Sequence, residues 1–199
     1  GYLNKATDGI GASYAWTRQG GTGSNVTLVE LDYSWNLNHQ DLPAVETWIP
    51  PGLTALDTDP ANNVPHGTAG LGEMASVSNG WGTTGVAHGA TFKVAPTYLG
   101  NFPTFTLSHA TQITYAMGPG RLVPGDVILV EQQIAGPKYK PNSGTQVGLV
   151  PVEWDKPTYD AIVTAIGNGI HVVEAAGNGS QNLDDAVYSR AHDGHYPFL

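Results

Sequence analysis

Hydrophobic positions fall into short runs separated by polar, Gly-rich and Pro-rich stretches, and the runs change period along the chain. Residues 26–32 (Val-Thr-Leu-Val-Glu-Leu-Asp) are apolar and β-branched enough for a central parallel strand. Residues 66–76, opened by His66-Gly67-Thr68, read as a helix with Gly and Ala on one face for close packing. A second strand is predicted over 91–98, interrupted by Pro96. Residues 104–117 read as a helix opened by Pro103 and closed by Gly118-Pro119-Gly120. Asp-Val-Ile-Leu-Val-Glu-Gln at 126–132 is a third strand. Tyr159, Ile162, Val163 and Ile166 fall at i, i+3, i+4 and i+7, which predicts an amphipathic helix ended by Gly167-Asn168-Gly169. A fourth strand follows at 170–176. Strands separated by helix-length segments imply βαβ units and an α/β, doubly wound parallel sheet. In such sheets the site lies beyond the carboxyl ends of the strands, where Asp32 and Gly177-Asn178 fall, with His66 on a following helix.

Composition narrows the reading without changing it. The chain has 199 residues, 40% of them apolar and 13% charged, with 26 Gly and 14 Pro. That is a globular, turn-rich chain, with no internal repeat, linker or second domain in view. A net charge of −9 argues against nucleic-acid and anionic-membrane partners, which require a basic face. No apolar stretch is long enough to span a bilayer. The absence of cysteine excludes disulfides, thiolate metal sites and a cysteine nucleophile within these residues. The first residue is Gly rather than Met, which implies that something upstream has been removed.

The chemistry-bearing residues come in the order acid, imidazole, amide. Asp32, His39-Gln40-Asp41-Leu42, His66-Gly67-Thr68 and Ala175-Ala176-Gly177-Asn178 resemble, in order and spacing, the subtilisin-like serine peptidases. The resemblance covers nearly the whole chain, residues 1–199, as the first two-thirds or so of such a catalytic domain. It implies a subtilisin-like peptidase fold that is C-terminally incomplete, because the family carries its serine in a later Gly-Thr-Ser motif that does not occur here. The roles implied are those of acyl transfer. His66 is the general base and acid, because an imidazole titrates near working pH. Asp32 fixes its tautomer and stabilises the imidazolium. Asn178 donates its side-chain amide to the oxyanion. The implied partners are a peptide or protein substrate and the segment that supplies the serine, and secretion is the implied location.

Several positions depart from the family pattern. Tyr33-Ser34 replaces the small residue and Gly that usually follow the acid, and Glu30 lies two residues earlier on the same strand face, an alternative triad acid. Glu131-Gln132-Gln133 stands where the family has Ser, an apolar residue and Gly. A carboxylate at Glu131 either faces the cleft and favours basic substrate groups or is buried in hydrogen bonds. The implied cleft is lined by Glu131, Gln132 and Ala175-Ala176-Gly177, with Tyr98-Leu99-Gly100 as the opposite wall, pairing with extended peptide as an added strand. Calcium is implied at Asp41 and Asn79, the positions that match the ligands of many relatives. His192-Asp193-Gly194-His195 offers two histidines without a third ligand, and reads as solvated. Gly20-Gly21-Thr22-Gly23 precedes a strand instead of following one, so it is no nucleotide-binding loop. Two other readings stay open: a non-catalytic peptide-binding or scaffold pseudopeptidase, and a metal-dependent hydrolase using His66 with Glu30 or Asp32.

Overall fold

In the computed structural model, which describes residues 1–56, 64–101 and 104–188, the strand at Thr27–Asp32 (β1) sits in the middle of a five-stranded parallel sheet. Its neighbours are β4 (Thr91–Pro96) on one side and β7 (Val127–Val130) on the other. The outer strands are β2 (Glu46–Thr47) beside β4 and β10 (His171–Glu174) beside β7, giving the order β10-β7-β1-β4-β2. Helix α1 (Ala12–Ala15) precedes the sheet. Helices α2 (Val64–Ala75), α3 (His109–Ala116) and α4 (Lys156–Gly167) are the crossovers between parallel strands.

Period-2 alternation along β1 and β7 assigns every side chain to a layer. Leu28 packs with Leu71 and Ala75 of α2, together with Phe92, Val94, Val127 and Leu129. Val29, Leu31, Ile128 and Val130 pack on the opposite side with Ile113 and Ala116 of α3 and Ala161, Ile162 and Ala165 of α4. Both faces of the central strands are therefore covered, which is why they read as continuous apolar runs. Glu30 and Asp32 continue the Leu28 series, so both carboxyls lie on the side covered by α2. Both are fully buried. Helix α2 approaches closely because it presents glycine there. A Cβ on Gly70 would lie 2.5 Å from Glu30 Oε1, and one on Gly67 would lie 2.5 Å from the Ser34 carbonyl oxygen.

The sheet differs from the sequence expectation in three places, each for a local reason. Pro96 ends β4 instead of interrupting it, and the chain turns into an antiparallel sheet of β3 (Thr54–Ala55), β5 (Tyr98–Asn101) and β6 (Thr104–Leu107). The helix expected from 104 thus begins only at His109, after a strand whose Thr104, Phe105 and Thr106 favour extended backbone. The amphipathic face of α4 is rotated by one residue. Its buried positions are Thr158, Ala161, Ile162 and Ala165, whereas Val163 and Ile166 are exposed. Small residues let α4 pack closely against α3, and the larger apolar ones face outward. A second hairpin, β8 (Gln133–Ala135) with β9 (Leu149–Pro151), leads through a 3-10 turn at Val152–Trp154 into α4. On β10, the outer strand of the main sheet, Val173 is 53% exposed.

Candidate active site

Three adjacent strands bring their carboxyl ends to one edge of the sheet: β1 ending at Asp32, β7 running into Glu131, and β10 running into Ala175–Asn178. Parallel neighbours lie about 5 Å apart, so β10 and β1 are separated by roughly 10 Å at this edge. Helix α2 returns over the same edge and carries His66 in its first turn. His66 Nδ1–H donates to Asp32 Oδ2 at 2.6 Å, while the imidazole remains half exposed. The other carboxylate oxygen of Asp32 accepts from the Tyr33 backbone N–H at 2.7 Å. Burial raises the Asp32 pKa, and the bonds from His66 and Tyr33 oppose that rise. The bond fixes the His66 tautomer, leaving the Nε2 lone pair available as a base.

Glu30 is placed differently. Its Oε2 accepts from Trp35 Nε1 at 2.8 Å, and its Oε1 is buried without a hydrogen-bond partner. Burial pushes this carboxyl up to about 9, against the Trp35 bond, and the charges of Asp32 and Glu131 add to the rise. Glu30 is thus a neutral acid at pH 7, and of the two carboxyls only Asp32 bonds the imidazole. Glu131, half-buried, continues the Val127–Leu129 series to the α2 side, near the space left by Gly70. It lies close enough to raise both Glu30 and Asp32. At the end of β10, Glu174 is pushed up to about 8 by burial and then by its neighbour Glu153.

Two parts of the expected cleft lining are engaged elsewhere in the fold. Alternation turns Gln132 to the opposite side from Glu131. Its side chain is buried, and its Oε1 lies 2.7 Å from Nε2 of His109 at the start of α3. Burial holds that imidazole down at about 4, so it is neutral and donates to the amide oxygen. Gln132 is therefore an interior residue and not a cleft side chain. The wall expected at Tyr98-Leu99-Gly100 cannot accept an added peptide strand either. These residues form β5, whose two edges are already paired, with β3 and with β6. Leu99 also points inward.

Ala175, Ala176 and Gly177 lead from β10 into the amide turn. The Ala175 N–H donates to the Val130 carbonyl at 3.0 Å, which ties the segment to β7. Gly177 takes φ of +86°, a left-handed conformation suited to glycine. Asn178 follows, exposed. Its backbone N–H donates to Gln133 Oε1 at 2.6 Å, a contact that expectation did not include. No local pattern marked it, because Gln133 opens β8, in a sheet separate from β7 and β10.

Asp41 and Asn79 belong to one loop system beside α2. Asp41 is buried, and its Oδ2 accepts from the Thr83 N–H at 2.9 Å and the Thr83 hydroxyl at 3.0 Å. Those bonds, the backbone one first, lower its pKa. Its Oδ1 is buried without a partner, so one carboxylate oxygen of the type calcium takes is unspent. Asn79 Oδ1 accepts from the Trp81 N–H at 3.1 Å and closes a turn. Among the described residues, no three His, Cys, Asp or Glu side chains form a cluster able to hold a metal. The sequence from His192 to His195 lies outside the described residues. No described helix is long and apolar enough to cross a membrane.

No protein-family model matches the sequence, and no curated protein matches it. Solved structures do match. The prenylagaramide maturation protease PagA superposes with a TM-score of 0.53 at 17% identity, over 85% of this chain and 51% of that one. The psychrophilic subtilisin-like protease Apa1 from the Antarctic psychrotroph Pseudoalteromonas sp. AS-11 superposes with a TM-score of 0.56 at 22% identity, over 84% of this chain and 35% of that one. The fold is thus a mixed α/β fold with a central parallel sheet, shared with these two proteases, the second of them subtilisin-like. The chain spans about half the length of the first and about a third of the second.

Proposed function

We propose that this chain is the part of a secreted, subtilisin-type serine endopeptidase that carries the acid, the base and the oxyanion donor. The observation behind this reading is the 2.6 Å bond from His66 to buried Asp32 at the carboxyl edge of the sheet. The serine comes from a segment outside these 199 residues, since no Gly-Thr-Ser motif occurs within them. In the first step His66 Nε2 takes the serine hydroxyl proton as Oγ bonds to the scissile carbonyl carbon. The carbonyl electron pair moves to its oxygen, which the Asn178 side-chain amide stabilises, a contact worth about 3–4 kcal/mol in such sites. As the tetrahedral intermediate collapses, the C–N bond breaks and His66 returns the proton to the leaving amine. Water then hydrolyses the acyl-enzyme by the same route. Asp32 orients the imidazole and offsets its positive charge while it holds the proton.

The substrate peptide crosses this edge between Glu131 and the Ala175–Gly177 segment. A structural calcium ion fits Asp41 better than Asn79, whose oxygen already closes a turn. The test is labelling of the intact protein by a fluorophosphonate probe. Labelling that disappears in His66→Ala, with the label on a serine outside residues 1–199, is the expected result. No labelling of correctly folded intact protein overturns the enzyme reading and leaves a non-catalytic peptide-binding protein. Activity abolished by a transition-metal chelator while calcium is kept in excess instead points to a metal-dependent hydrolase.

A further inference from the structure

Asn178 sits between two glycines, and its neighbours are gripped by one hairpin. On one side, a Cβ at Gly177 would meet the Val150 backbone at 3.3 Å and Gln133 Oε1 at 3.4 Å. On the other, the Gly148 N–H donates to the Gly179 carbonyl at 3.0 Å, and a Cβ on Gly179 would lie 1.9 Å from the Leu149 carbonyl oxygen. The segment 148–150 therefore packs against both flanking residues but makes no bond to Asn178 itself. The hydrogen bond that reaches the Asn178 backbone is the one to Gln133 Oε1, at 2.6 Å. Gln133 is well placed to hold still, because its own backbone is paired with Pro151 in the β8–β9 ladder. A peptide unit flanked by glycines can otherwise rotate with little steric resistance.

We propose that Gln133 is a positioning residue that locks the Asn178 peptide plane and so aims the Asn178 side chain at the developing oxyanion. The role rests on the peptidase reading above; the bridge itself does not. Oxyanion stabilisation depends on donors fixed in advance, and misplacement by about 1 Å costs on the order of a hundredfold in rate. Gln133 touches no reacting atom and acts only through Asn178.

Two substitutions and two readouts test this. Gln133→Met keeps the length of the side chain and removes the acceptor, whereas Gln133→Glu keeps an acceptor in place. Residue-resolved amide exchange reads the bridge directly. The Asn178 N–H should exchange about tenfold faster in the Met variant than in the native protein, and at the native rate in the Glu variant. Peptide hydrolysis by the intact protein reads the consequence. The Met variant should lose about tenfold or more in kcat with KM within about twofold, since only a transition-state contact is disturbed. A purely structural role would lower the melting temperature and spare kcat measured well below it, which overturns the positioning role. Equal Asn178 exchange in native protein and the Met variant overturns the bridge, whatever the activity. Intact native protein that cleaves no peptide overturns the peptidase reading and the positioning role with it, and exchange then decides the bridge alone.

Discussion

Two carboxyls on one strand face meet different fates because their donors differ. Asp32 accepts from an imidazole and a backbone N–H; Glu30, equally buried, accepts from the Trp35 indole alone and keeps its proton to about pH 9. The sign of the pH effect follows. In the unfolded chain Glu30 ionises near 4.5, while the folded state binds that proton up to about 9. The native state then holds more protons than the unfolded state, so this residue makes stability fall as pH rises between those values. Glu30→Gln removes the penalty. Thermal melts should show the variant close to the native protein at pH 5 and several degrees more stable at pH 8, at about 2–4 °C per kcal/mol for a chain of this size. A native protein and variant that differ equally at both pH values would refute a protonated Glu30. The parity of Glu30 and Asp32 was legible in the sequence. The resemblance implied Asp32 as the partner of His66, with Glu30 the alternative; the bond that occupies Glu30 was not legible, because it depends on Trp35 folding back over the strand.

At the level of elements, α4 shows how far periodicity reaches. Its helical span was legible from apolar spacing and the closing Gly-Asn-Gly. The buried face was not, since Val163 and Ile166 outrank alanine in hydrophobicity but not in fit against α3. The helix start is set by Asp155, whose carboxylate accepts from the Thr158 N–H at 3.1 Å and the Thr158 hydroxyl at 2.7 Å. Asp155→Ala should cost about 1 kcal/mol, the usual value of an N-cap. A drop of roughly 2–4 °C in melting temperature would record it, and an unchanged melt would show that packing alone fixes the helix start. The loop beyond α2 carries the calcium proposal. Millimolar calcium is expected to raise the melting temperature of the native protein and not of Asp41→Ala; no rise in the native protein removes the ion from the account.

Across the whole molecule, the two outer strands of the main sheet differ in length and in exposed apolar surface. Beyond β4 the sheet ends in the two-residue β2, with the small antiparallel sheet following in the chain, while β10 pairs with no strand beyond β7 among the described residues and leaves Val173 exposed. Unpaired apolar edges template association. We expect residues 1–199 prepared alone to self-associate, and Val173→Lys to suppress this while leaving the fold intact, as read by light scattering and circular dichroism. Native residues 1–199 that stay monomeric at high concentration would contradict this. The order of the parallel strands was foreseeable only as a class, because βαβ periodicity gives handed crossovers but no strand order.

What the sequence alone determined was local and periodic. It set the strands around Asp32, Glu131 and Asn178, the glycine-rich helix behind His66, and the acid–imidazole–amide order, because alternation and glycine content act over a few residues. The tertiary structure decided everything that depends on a partner far along the chain. Gln132 turns inward to His109, Tyr98–Gly100 is paired on both edges, and Gln133 reaches Asn178 across 45 residues, each contact set by which layers meet.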